Sequence, residues 1–260
     1  KISYIMIRLK HLIVEGMYDK LTGEINKDIF KTIKKAAKGS GTEENPKKYK
    51  GYVVRKDPAP TTKMSDMFNA ERATLYVGDY SDKVSGVDVE VEMKLAISDE
   101  GVEEGKFFID GSADAEAEFA NIEVLIGLHP NDAESGRVFS KIQPVLRDLV
   151  RHEIEHLTHG KDSPAEKPSK TLRGDKAMRR KIRQNPKIYY KYYLLPKEVD
   201  ANIHGLYSKA KTLKQPYQKV VDDYLDSLVD DDVIDIKKRK LIYNTWKKRI
   251  PKIGGIPTLK

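Results

Sequence analysis

Cysteine is absent from the 260-residue chain, which excludes disulfides and thiolate metal sites. Any transition metal would have to be held by His, Asp and Glu. No apolar run approaches the ~18 residues of a membrane span, so no membrane partner is expected. Glycine-rich phosphate loops of the Walker or dinucleotide type are missing. A dominant charge of one sign is missing as well, since 48 basic against 40 acidic residues leave a net +8. That balance suits a soluble protein better than a dedicated nucleic-acid binder, so nucleic acid is not the expected partner. The basic runs MRRKIR, KKRK and WKKR read first as solvated helix faces. The apolar start, KISYIMIRLKHLIVEG, is interrupted by Arg8, Lys10 and His11, and a secretory signal is not expected.

What is present falls into helices, then a small sheet, then helices. Residues 2–38 read as helical, with Ile25, Ile29, Ile33 and Ala36 on one face and lysines before Gly39. GSGTEENPKKYKG reads as a linker, and residues 51–60 as extended. Between about 72 and 130, ATLYVGDY, GVDVEVEMKLAIS, GKFFIDGSA and NIEVLIGLHP carry strand composition bounded by Gly, Asp and Ser. VDVEVEMKLAI alternates, as a half-buried antiparallel strand would; IEVLIGL is more uniformly apolar and reads as lying deeper. The spacing predicts a helix over 142–158, a hydrophilic segment over 160–187, and helices to the end, with Pro196 opening one of them. The fold class is α+β.

Three of the six histidines crowd into VLRDLVRHEIEHLTHG. On the predicted helix Leu146, Val150, Ile154 and Leu157 form one apolar stripe, and Val145, Leu149, His152 and His156 a second. Arg147, Arg151, Glu155 and Thr158 take the remaining strip, which reads as the solvent side, with Arg151 paired to Glu155 one turn on. His152 and His156 stand at i and i+4, so two imidazoles project from one face about a turn apart and can reach one ion. Glu153 lies beside them, where a carboxylate can take a proton from water. His159 is ~10 Å along the axis from His152, too far to share that ion, and reads as a capping group.

A third ligand is needed for a catalytic zinc. His11, His129 and His204 are available, but LLPKEVDANIHGLY offers a better candidate. Glu198 follows Pro196 at a helix start, with Asn202 one turn on and the small Ala201 between. Glu198 could bind metal, while Asn202 could accept a hydrogen bond from a ligand histidine and fix its tautomer. The bland alternative is a first-turn acid stabilised by the helix dipole. A Glu198 carboxylate some 3–4 Å from the histidine pair would support the assignment, and more than ~8 Å would end it.

His152-Glu153-x-x-His156 followed by Glu198-x-x-Ala201-Asn202 resembles the gluzincin metallopeptidases, and in local spelling the mobile-element peptidases with Glu-x-x-Ala-Asn on the second helix. The resemblance covers roughly residues 120–210, with a longer interval between the two motifs than in the compact relatives. It implies zinc held by His152, His156 and Glu198, with Glu153 as general base and Asn202 in support. It also implies a zincin-like core: a small, mostly antiparallel sheet with a histidine helix and a second ligand helix. IEVLIGL fits the family's edge strand, which holds extended peptide by β-augmentation. Tyr190 or Tyr193 could stabilise an oxyanion. The expected organisation is a helical extension and linker over 1–45, a catalytic domain over 46–212 and a helical region over 213–260. The start of the chain and YYLLPKEVDANIHGLYSKAK also resemble zincin-like proteins of tailed bacteriophages. The reading is therefore a zinc metallopeptidase acting on a peptide or protein substrate, cytoplasmic or in a virion. The alternative is a non-enzymatic phage virion or assembly protein that keeps the fold, with phage structural proteins as partners.

Overall fold

The computed structural model describes residues 2–37, 74–82, 87–97, 102–114, 120–158, 178, 181–182, 185–253 and 255–260. The expected linker after Gly39, the extended stretch 51–60, His159 and most of 160–187 lie outside them. Two compact units are formed, one from residues 20–157 and one from 1–19 with 158–260.

Helix α1 (Ile2–Ala37) runs as its lysine-rich end predicts. Ile25, Ile29 and Ile33, at steps of four, are wholly buried. Four strands follow: β1 (Thr74–Asp82), β2 (Val87–Ile97), β3 (Phe107–Asp114) and β4 (Ala120–Leu128). They form one sheet in the order β1-β2-β4-β3. The β1–β2 and β3–β4 pairs are antiparallel, but β2 and β4 run parallel, with Val91 opposite Ile122 and Met93 opposite Val124. The sheet is thus mixed.

The alternation in β2 does what it promises: Val89, Val91, Met93 and Leu95 are buried. Lys94 on the other face reaches Glu123 of β4 at 2.5 Å. IEVLIGL is not the edge strand expected from the resemblance. It lies in β4, hydrogen-bonded on both sides, and the outer strands are β1 and β3. Its uniform apolarity is that of a central strand, covered on both faces.

After β4 come α2 (Pro130–Ser135) and α3 (Phe139–Thr158). The turn before β3 is held by Asp132, whose Oδ2 accepts the Gly105 amide at 2.5 Å, with Gly105 at φ +81°. α3 starts about one turn earlier than the predicted residue 142, so Pro144, which suits a first-turn position, lies inside the helix. The bond lost at Pro144 belongs to the Ser140 carbonyl, on an exposed residue of the first turn where water can substitute.

α3 approaches the sheet at Gly111 of β3. A Cβ there would come to 3.0 Å of both the Glu123 carbonyl and a Leu149 methyl. Phe30 of α1 meets Phe139 edge to face at 5.6 Å, and Tyr80 of β1 donates to Asp28 at 3.2 Å.

In the other unit a 3-10 helix (Pro186–Leu194) leads into α4 (Pro196–Leu213), with Pro196 in its first turn as predicted. α5 (Tyr217–Asp230) and α6 (Ile236–Ile253) complete it. Their apolar faces close around Trp246, which is wholly buried and donates its indole N–H to the Tyr193 carbonyl at 3.0 Å. This core draws on Ile203 and Leu206 of α4 together with Val221 and Ile250, on both sides of the expected division at 212/213.

Candidate metal centre

On α3 the stripe Leu146, Val150, Ile154 is fully buried, as its spacing requires. The supposed solvent strip is a correction. Arg151 is 2 % exposed and Thr158 5 %, and no residue from Pro144 to the end of α3 is exposed. Arg151 can lie inside because its guanidinium donates to Glu155 at 2.8 Å, the pairing expected from the spacing. Periodicity alone treats charge as exposed, whereas a paired arginine with a long apolar stem can be covered.

His152 and His156 are half-buried, with ring centroids 4.7 Å apart and planes at 81°. Their Nε2 atoms face each other at 3.0 Å. Two neutral lone pairs would repel at that distance, so a proton or a cation belongs between them. Two ligands of one tetrahedral zinc stand ~3.3 Å apart, close to what is seen. Glu153, between them in sequence, is 5 % exposed.

On α4, Glu198 occupies the first turn and has no exposure. Ionised carboxylates at such depth require compensation by donors or a cation. Asn202, one turn on, does not hold a histidine as expected. Its Nδ2 donates to the Glu198 carbonyl at 2.6 Å, and its Oδ1 lies 3.5 Å from the Tyr224 hydroxyl. Asp200 is buried and gripped by Arg249 of α6 through two bonds of 2.6 and 2.5 Å. Burial first, then the neighbouring Tyr189, pushes the Tyr193 hydroxyl up, with Glu198 adding to the effect and a hydrogen bond from Tyr224 opposing it. Tyr190 is half-buried, with the Lys238 ammonium 5.4 Å from its ring centre.

One ligand atom each from His152, His156 and Glu198 lie within 4.8 Å of one another. This is inside the ~8 Å that would have ended the Glu198 assignment, but wider than the ~3–4 Å that would support it. Two imidazole nitrogens and a carboxylate oxygen form a donor set able to hold a metal ion. Among the described residues, neither His129 nor His204 is part of it. His129 caps α2, accepting the Asn131 amide at 3.3 Å, and His204 is half-buried on α4. Tyr224 and Arg249, 22 and 49 residues from the α4 groups they touch, carry no local signal that the sequence could have offered.

No family model, curated protein or solved structure matches the chain.

Proposed function

We propose that the chain is a zinc-dependent metallopeptidase with a zincin-like core, in which His152, His156 and Glu198 hold the metal and Glu153 is the general base. The observation that carries the reading is the grouping of the three ligand atoms within 4.8 Å, with Glu153 buried on the same helix as the histidines. When bound, zinc supplies Lewis acidity that acidifies water and polarises a peptide carbonyl. Glu153 takes the water proton and delivers it to the departing amine nitrogen. Glu198, fixed in the first turn of α4, balances the ion's charge while its helix is anchored through the Asp200–Arg249 pair. Extended substrate adds to the sheet at β3, the outer strand on which the histidine helix rests at Gly111.

Digestion of a peptide library tests this. With zinc supplied, the chain is expected to cleave internal peptide bonds, and a chelator should stop it. A zinc-loaded chain that cleaves no member of the library contradicts the assignment.

A further inference from the structure

Counted over the whole chain the charges look mixed, but the fold sorts them. In α6, IKKRKLIYNTWKKRIPKI, every charged residue is basic. Three of these cations are neutralised: Lys238 pairs with Asp235, Arg239 with Asp222 and Asp226, and Arg249 with Asp200. Among the described residues no ion pair reaches Lys237, Lys240, Lys247, Lys248 or Lys252, and all are exposed. At ~100° and ~1.5 Å per residue they share an arc of about 140° and a length of about 22 Å. The opposite side of the helix holds Ile242, Trp246 and Ile250, all with no exposure.

That arrangement selects a partner. The apolar side of α6 is committed to the core, so the helix has nothing to insert into a bilayer. Single-stranded nucleic acid wants aromatic platforms for its bases. Trp246 is buried, however, and the Tyr243 hydroxyl is bonded to the Lys260 carbonyl at 2.7 Å and to Gln218 at 3.2 Å. The rigid two-pronged fork that reads guanine edges most specifically is arginine's, and both arginines of α6 are bound to aspartates. What remains is a line of ammonium groups, which matches a line of phosphates.

We propose that α6 binds the phosphate backbone of double-stranded nucleic acid without sequence preference. The surface is independent of the metal centre. The near-neutral balance that argued against nucleic acid averages in acids that this helix does not carry.

Fluorescence anisotropy of the full chain with a labelled mixed-sequence DNA duplex tests it. Five phosphate contacts give a slope of log affinity on log salt of up to about −4.5, or as much as ~500-fold between 50 and 200 mM salt. Replacing Lys237, Lys240, Lys247, Lys248 and Lys252 by Gln should bring the slope close to zero and weaken binding at low salt at least tenfold. Replacing Lys27, Lys31 and Lys35 of α1 by Gln should change neither by more than twofold. The proposal is overturned if the native chain ignores the duplex at low salt, if the α6 variant binds like the native chain, or if the α1 variant loses as much. Binding to phosphatidylglycerol vesicles or polyglutamate in place of the duplex also overturns it.

Discussion

Glu153 and the two histidines share barely more than one helical turn, and this closeness makes the role of each separable by substitution. Glu153→Gln keeps the size of the side chain and removes its basicity. It should leave zinc affinity unchanged and lower turnover ~10²–10⁴-fold. Steady-state kinetics with zinc loading measured alongside checks both halves, and undiminished turnover would remove Glu153 from the mechanism. Asp200, two residues beyond Glu198, makes a prediction of a different kind. Its carboxylate is buried at 4 % exposure and held by Arg249 at both oxygens. Arg249→Met leaves that charge without its main cation and should cost roughly 3 kcal/mol of stability, the low end for breaking a buried pair because Arg249 itself is partly exposed. Urea denaturation reads the difference, and a loss below about 0.5 kcal/mol would mean that the pair does not fasten α4 to α6.

At the scale of elements, the sequence was most legible where one pattern dictates one face. The isoleucines of α1, the alternation of β2 and the Leu146–Val150–Ile154 stripe all lie where their spacing put them. Both halves of the candidate site were legible for the same reason, since His152 and His156 sit on one helix and Glu198 opens another. What spacing cannot carry is the identity of a neighbour distant along the chain. The apolar run of β4 reads correctly as a deep strand, and it is the family resemblance, not the pattern, that implies an edge; Arg151 reads as exposed although its partner lets it be covered. Tyr224 lies beside Asn202 only because α5 folds back along α4. The contact between β3 and α3 is equally non-local and makes a sharp prediction. A side chain at Gly111 meets backbone on one side and Leu149 on the other, so Gly111→Val should destabilise the chain by about 1–3 kcal/mol. Because Leu149 stands one turn before His152, zinc affinity should fall as well. Unchanged unfolding and zinc titration curves would show that the helix does not rest on that glycine.

For the whole molecule, alkaline pH probes the packing of α1 against the sheet. Burial, with the Asp28 carboxylate close behind, pushes the Tyr80 hydroxyl up from its ordinary value near 10. The folded chain then keeps a proton that the unfolded chain releases, so this contribution is complete below pH ~10 and is lost as pH rises above it. The melting temperature should fall between about pH 10 and 12, and less steeply in Tyr80→Phe; parallel curves for the two proteins would contradict the linkage. The metal itself is the central claim, and zinc titration by calorimetry addresses it directly. The native chain should bind about one zinc per chain, and His156→Ala and Glu198→Ala should each lose that site while remaining folded by circular dichroism. A native chain that binds no zinc, or a Glu198→Ala chain that binds it as tightly as the native one, would contradict the account.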